Sequence, residues 1–121
     1  LAAVAEATLQ RWFTEPGQQR LPETINAVRE MILTTPAEGF IACCEAIKVM
    51  DQRETNRGIN NATTVIVGSD DSSTTPEHAR VIASTIDGAE VVEIPEAAHF
   101  VNMEQADAFN DALLAHLGRV T

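Results

Sequence analysis

The sequence has few cysteines, few basic residues and no long apolar run, and each shortage excludes a class of protein. Its only two cysteines, Cys43 and Cys44, are adjacent in the chain, and neighbouring cysteines seldom pair because the ring would be strained. We therefore expect no disulfide framework, and we expect reduced thiols and a cytoplasmic location. Both cysteines lie in a helical pattern with no further Cys or His at ligand spacing, which predicts small buried positions rather than metal ligands.

Basic residues are outnumbered, with 8 Lys and Arg against 18 Asp and Glu, and the formal net charge is −10. An acidic chain repels phosphate backbones and anionic lipids, so we predict neither nucleic acid nor a membrane as a partner. No apolar run approaches the length of a transmembrane helix. His78 and His116 lie in helical patterns and are predicted to be surface residues. Because no set of ligand-type residues has metal spacing, we expect no metal.

Residues 1–56 contain helical patterns only. The break "TEPGQQRLP" is predicted to separate a first helix from a second that begins near Pro22. A third is predicted to begin with Thr35 as N-cap, Pro36 at the first position and Glu38 completing a capping box. The apolar face of the first helix is Leu1, Val4, Ala5, Thr8, Leu9 and Trp12, and that of the third is Phe40, Cys43, Cys44, Ile47 and Met50.

In residues 57–121 the spacing of the apolar residues changes, and the new pattern predicts a strand, a helix, a second strand and a second helix, in that order. The first strand is β-branched and ends at Gly68, and the second runs over residues 89–95. Asn102 is predicted to cap the last helix. A βαβα unit places its two strands parallel in one sheet. Parallel strands are usually buried inside larger sheets, so we expect further strands from upstream sequence or from another chain.

Two loops follow the two strands and carry candidate functional side chains. "GSDDSST" offers Asp70 and Asp71, and "PEAAHF" offers His99. The carboxyl ends of neighbouring parallel strands lie at one edge of a sheet, so an acid and the histidine are expected to meet there. A carboxylate that accepts the imidazole Nδ1–H would fix the tautomer and stabilise the imidazolium, as in a Ser-His-Asp triad.

These loops resemble the C-terminal portion of an α/β-hydrolase. The family's G-x-x-D sequence after the acid strand matches Gly68 to Asp71, which favours Asp71 over Asp70, and its small-small-His loop matches Ala97, Ala98 and His99. The segments "EATLQRWFT" and "FIACCEAIKVMDQR" resemble cap helices of 3-oxoadipate enol-lactonases. The resemblance implies a helical cap in residues 1–56, followed by the βαβα part of the core in residues 57–121.

The same resemblance implies a function and a set of site residues. The family's enol-lactonases act in the β-ketoadipate pathway of aromatic degradation and need no cofactor. His99 would be the catalytic base and Asp71 the acid that orients it, acting on a small lactone or ester. Trp12 would line the substrate pocket, unless it is only a core anchor. Arg11 would face a substrate carboxylate, with a solvated arginine as the equal alternative.

The sequence departs from the family in lacking the G-x-S-x-G nucleophile motif. We therefore expect the serine to belong to an N-terminal half that precedes Leu1, and we expect the 121-residue chain to be inactive alone. Its partners would be that half or a second copy of the chain. Two alternatives stay open: another α/β-hydrolase, such as an esterase, a C–C hydrolase or a dehalogenase, and a non-enzymatic module that associates with itself.

Overall fold

A computed structural model describes residues 1–120, so the last residue of the predicted 57–121 segment, Thr121, lies outside the described residues. The first half forms α1 (Ala2–Trp12), α2 (Glu15–Arg20), α3 (Pro22–Thr34), α4 (Ala37–Val49) and α5 (Arg53–Asn56). The second half forms β1 (Thr64–Gly68), α6 (Pro76–Ser84), β2 (Glu90–Ile94), α7 (Val101–Glu104) and α8 (Ala106–Val120). The predicted order of helices followed by a βαβα unit is confirmed.

The first half is held together by an apolar cluster between α1 and α3. The apolar stripe of α1 buries Leu9 against Ile25 and Val28 of α3, and Phe13 joins them just after α1 ends. Phe13 is almost fully buried and has extended backbone. The chain therefore turns there and brings the end of α1 towards the second half.

The two strands pair in parallel and in register, from Thr64 beside Glu90 to Gly68 beside Ile94. One sheet face places Ile66 and Ile94 against Phe109 of α8, and α6 also packs on the sheet. The α/β class and the parallel pairing predicted from the sequence are confirmed. Both strands end side by side, which sets the two following loops next to each other.

Three short helices, α2, α5 and α7, were not predicted from the sequence. The break before Pro22 contains α2, because the Thr14 hydroxyl accepts the Gly17 N–H at 3.0 Å and caps the turn. The predicted cap at Asn102 is wrong, because Asn102 lies inside α7. At Gln105 the backbone leaves the helical region, with φ −130° and ψ 58°, and this residue separates α7 from α8.

The predicted capping box of the third helix is also wrong. The Thr35 hydroxyl donates to the carbonyl of Met31 at 2.7 Å and so serves the end of α3. The Met31 carbonyl also accepts the Thr35 N–H at 3.1 Å, so Thr35 closes the end of α3 with both its N–H and its hydroxyl. Pro36 precedes α4, which begins at Ala37.

The apolar face of α4 is exposed, which corrects the burial predicted for both cysteines. Cys43 and Cys44 are exposed, and α4 contains no buried residue. An apolar helix face is buried only when another surface packs on it, and residues 1–120 supply none for α4. No helix in that range is both long and apolar enough to cross a membrane.

We expect the chain to associate with itself in solution. The sheet described in residues 1–120 has two strands, so each has an unpaired edge, and α8 exposes Leu114 and Leu117. Open edges beside apolar surface favour pairing with another chain. Light scattering should detect a dimer or a larger species. A monomer that unfolds cooperatively at all accessible concentrations would contradict this prediction.

Candidate active site

Backbone hydrogen bonds join the two loops at the carboxyl ends of the strands. Ser69 N–H donates to the carbonyl of Ile94 at 2.9 Å, and Asp70 N–H donates to the carbonyl of Ala97 at 2.9 Å. Gly68 allows this approach, because a Cβ built there would lie 2.3 Å from the Ala97 oxygen and 2.4 Å from the Ala98 oxygen. The loops therefore meet at a position that only glycine fits.

A left-handed turn sends the second loop back over the sheet edge. Glu96 has φ 55°, an unusual value for a residue with a side chain. Its N–H donates to the Ser69 hydroxyl at 3.2 Å, and its carbonyl accepts the Gln105 side-chain amide at 3.1 Å. These bonds hold the turn that precedes His99.

Asp71, and not Asp70, contacts the histidine. The Asp71 Oδ2 atom lies 2.9 Å from Nδ1 of His99, whereas the Asp70 carboxylate accepts the Ser69 hydroxyl at 3.2 Å. Asp71 is 5% exposed. The contact predicted from the G-x-x-D match is confirmed, and the choice between the two neighbouring acids is settled in favour of Asp71.

Three further hydrogen bonds hold the Asp71 carboxylate. Oδ1 accepts the N–H groups of Ser73 at 2.8 Å and Thr74 at 2.9 Å, and Oδ2 accepts the Thr74 hydroxyl at 2.9 Å. Burial raises the pKa of Asp71, but the bonds from His99, Thr74 and Ser73 outweigh it and lower this pKa below its ordinary value. Asp71 is therefore held as an anion that faces the imidazole.

The contact with Asp71 fixes which nitrogen of His99 carries the proton. An aspartate anion accepts, so Nδ1 donates and Nε2 keeps the lone pair. The His99 side chain is 34% exposed, and Nε2 has no hydrogen-bond partner in residues 1–120. The Thr74 hydroxyl lies 3.2 Å from Nδ1, on the side of Asp71. Nε2 is thus the nitrogen available to take a proton from an incoming group.

Trp12 is both a core residue and a neighbour of His99. Its indole stacks on the His99 imidazole at a centroid distance of 5.9 Å and 26° between planes. It meets the Phe100 ring edge-on at 5.1 Å and packs against the cluster that contains Leu9. Trp12 therefore makes the core contact that the sequence offered as one alternative, and it also stacks on the His99 imidazole.

Arg11 borders two cavities. One, of about 180 Å³, is lined by Arg11, Trp12, Ile32 and Phe40 among others. The other, of about 500 Å³, lies between Arg11, Arg20 and Ala98. Arg11 is exposed, and no side chain within residues 1–120 forms an ion pair with it. Its guanidinium is accessible from either cavity.

The other two histidines have local structural contacts. Nδ1 of His78 accepts the Thr75 N–H at 3.1 Å at the start of α6, and Nδ1 of His116 lies 3.0 Å from the Thr64 hydroxyl. Among residues 1–120 no group of three or more His, Cys, Asp or Glu side chains has a geometry that could hold a metal ion. Of the three histidines, His99 is the one whose ring contacts the buried carboxylate of Asp71.

The sequence analysis missed Thr74 and Glu104. Thr74 bonds to Asp71 from three residues further along the chain, a spacing typical of side-chain-capped turns. Glu104 is 5% exposed and accepts bonds from residues on both sides of the site. No sequence pattern signals Glu104, because burial cannot be read from the sequence and most glutamates are exposed.

The chain is similar to known hydrolases in sequence and in structure. It is 32% identical to 3-oxoadipate enol-lactonase 2 of Acinetobacter baylyi over 119 residues, 98% of the chain. It superposes on an enol-lactonase from Burkholderia xenovorans with a TM-score of 0.91 and 38% identity over 96% of the chain. A thermophilic esterase from Thermogutta terrifontis gives a TM-score of 0.87 and 31% identity over 98% of the chain.

The chain spans 44% of the length of each of these relatives. No protein-family model matches it. Its two parallel strands, its crossover helix and its loops nevertheless match their structures over nearly all of its own length. Sequence and fold together show that the chain has the fold of a part of an α/β-hydrolase and is similar to the 3-oxoadipate enol-lactonases.

Proposed function

We propose that the chain supplies the acid and the base of a serine hydrolase that opens carboxylic esters or lactones. The observation that carries the proposal is the pair formed by Asp71 and His99, 2.9 Å apart at Nδ1, with Nε2 left open. This is the geometry of the acid and base in a Ser-His-Asp triad. The similarity to enol-lactonases and to an esterase supports the reaction class.

In this proposal the nucleophilic serine comes from a segment outside the 121 residues. The sequence contains no G-x-S-x-G motif, and the relatives are more than twice as long as the chain. His99 Nε2 takes the serine proton as the hydroxyl attacks the carbonyl, and Asp71 stabilises the imidazolium. The imidazolium gives this proton to the leaving oxygen as the bond between that oxygen and the carbonyl carbon breaks, which leaves an acyl-enzyme. Neutral His99 then takes a proton from the water that attacks the acyl group, and backbone N–H groups of the other segment hold the oxyanion in both steps.

We also propose which part of the chain contacts the substrate. Residues 1–56 form a cap over the core of residues 57–121, and Trp12 and Arg11 line the substrate side. An enol-lactone of the β-ketoadipate pathway carries a carboxylate, which a free guanidinium binds in a bidentate manner. Trp12 supports this assignment through its stacking on His99. A reduced, cytoplasmic protein fits the two exposed cysteines.

We expect the purified 121-residue chain to hydrolyse neither an enol-lactone nor a chromogenic ester above the rate of a His99→Ala control. The physical reason is the missing nucleophile, whose removal from a triad costs orders of magnitude in rate. The control removes any esterolysis by the imidazole alone. If the 121-residue chain hydrolysed substrate and His99→Ala abolished that activity, the nucleophile would lie within the chain. This result would contradict this part of the proposal.

Activity should appear when a complementary segment is joined to the chain. The test protein is a chimera in which the unmatched N-terminal part of the Acinetobacter baylyi enol-lactonase precedes Leu1. We expect hydrolysis that His99→Ala and Asp71→Ala both abolish and that Asp107→Asn, an exposed acid on α8, retains. A folded chimera that hydrolyses simple esters but no enol-lactone would favour the esterase alternative. A folded chimera with no hydrolase activity would contradict the proposed function.

A further inference from the structure

Glu104 is a buried carboxylate that the proposed mechanism does not use. Its Oε1 accepts both the N–H of Thr14 at 2.9 Å and the Thr14 hydroxyl at 2.6 Å. Its Oε2 accepts the N–H of Ala98 at 2.7 Å. Three donors from two separate parts of the chain therefore converge on one side chain. We call Thr14, Ala98 and Glu104 the carboxylate clamp.

The surroundings of the clamp fit a carboxylate closely. A Cβ built on Gly17 would lie 2.0 Å from Oε1 of Glu104, so the missing side chain at Gly17 lets the carboxylate lie close against α2. Arg20 donates to the backbone carbonyl of Glu104 at 2.9 Å and fastens α2 to the end of α7. Among residues 1–120 no buried side-chain oxygen or nitrogen lacks a partner. The clamp is thus a packed and fully hydrogen-bonded contact.

The clamp lies directly beside the catalytic pair. Ala98 precedes His99, and on the other side of His99 the N–H of Phe100 donates to the carbonyl of Trp12 at 3.1 Å. Phe100 is therefore bonded directly to Trp12 at the end of α1, and Ala98 is linked to Thr14, just after α1, through Glu104. Thr14 follows Trp12 by two positions, so Glu104 sets the distance between the His99 loop and the segment that carries the indole.

We propose that Glu104 is a positioning residue that holds the imidazole of His99 against the indole of Trp12. The inference rests on the proposed function in one respect: the position of His99 matters to catalysis because His99 is the base. Glutamine cannot replace the carboxylate, since it has one acceptor oxygen for three donors. Aspartate lacks one methylene group and cannot reach both Thr14 and Ala98.

Trp12 provides a test that needs no substrate. It is the only tryptophan of the chain, and a protonated imidazole in contact with an indole quenches its fluorescence. Fluorescence of the 121-residue chain should fall in one step on acidification, when the imidazole stacked on the indole becomes charged. His99→Gln should abolish the step and so assign it. In Glu104→Gln the fluorescence step should lose most of its amplitude, whereas in Asp107→Asn the amplitude should be unchanged.

Two further variants keep the test decisive if Glu104→Gln does not fold. Thr14→Val removes one donor of the clamp and should reduce the step, and Thr14→Ser keeps the hydroxyl and should restore it. In an active chimera, Glu104→Gln should lower kcat by on the order of 10²-fold with little change in KM.

Two outcomes would overturn the inference. One is a wild-type chain with no step that depends on His99. The other is a full step in folded Glu104→Gln or in Thr14→Val. An inactive chimera with the fluorescence results unchanged would overturn the proposed function alone, because the fluorescence measurement involves no hydrolysis.

Discussion

Replacing Gly68 with alanine should destabilise the chain by roughly 2–4 kcal/mol, from overpacking together with loss of the loop hydrogen bonds. The added Cβ would lie 2.3 Å from the Ala97 oxygen and 2.4 Å from the Ala98 oxygen. Both are backbone atoms, so no rotamer change can relieve the clash. The loop would have to move away and give up the bond from Asp70 N–H to the Ala97 carbonyl, which is 2.9 Å long.

Urea unfolding measures this cost through the transition midpoint. Gly39→Ala is the matched control, because a Cβ at Gly39 meets no atom within 4 Å and the residue lies inside α4. Alanine there should stabilise the chain by about 0.5–1 kcal/mol through its higher helix propensity. Equal midpoints for Gly68→Ala and the wild type would show that the two loops do not approach as closely as described.

Replacing Asp71 with asparagine should move the proton of His99 from Nδ1 to Nε2. The asparagine oxygen can keep the bonds that Oδ1 now accepts from Ser73 and Thr74. The amide nitrogen then takes the place of Oδ2 and donates to Nδ1, which lies 2.9 Å from it. Nδ1 must become an acceptor, so Nε2 loses its lone pair. In the active chimera this wrong tautomer should lower kcat on the order of 10⁴-fold.

The tautomer can be read from the ¹⁵N chemical shifts of the imidazole in the isolated chain. Asp70→Asn is the matched control, since Asp70 bonds to Ser69 and not to the histidine, and it should leave Nδ1 protonated. An unchanged tautomer in Asp71→Asn would show that Asp71 does not set the proton position. The same result would remove the main support for the proposed acid.

Acidification should remove the free energy of folding that the ionised Asp71 carboxylate contributes. Because the pKa of Asp71 is lowered in the folded chain, its bonds contribute fully above its unfolded pKa of about 4. That contribution is lost as the pH falls through the lowered folded pKa. Asp71→Asn lacks this titration, so the difference in unfolding free energy between wild type and variant should shrink in acid. A difference that does not change with pH would argue against an ionised Asp71.

Much of the core around the site was predictable because its signals are local. A β-branched run that ends at Gly68 predicts a buried strand, and a following amphipathic segment predicts the crossover helix. Parallel strands bring their carboxyl ends to one edge, which was enough to expect contact between the first loop and His99. The choice of Asp71 over Asp70 came from the G-x-x-D match and is confirmed by the contact.

The errors have two physical causes: a nearby backbone carbonyl that competed for a hydroxyl, and an apolar helix face that the described residues leave uncovered. Thr35 forms a good N-cap by pattern, but its hydroxyl donates instead to the Met31 carbonyl at the end of α3. Cys43 and Cys44 lie on an apolar helix face, but the described residues place no surface over it. Periodicity predicts which face seeks burial, and only the neighbours decide whether that face is buried.

The sequence by itself determined the strand–helix order, the parallel pairing and the pairing of an acid with His99, because adjacent residues and strand polarity impose them. Tertiary structure alone decided which groups surround that pair. Trp12 stacks on the imidazole from 87 positions away along the chain, and Glu104 reaches Thr14 across 90. Such contacts depend on how α1 packs against the loops, and no local pattern encodes the distance between segments that meet only after folding.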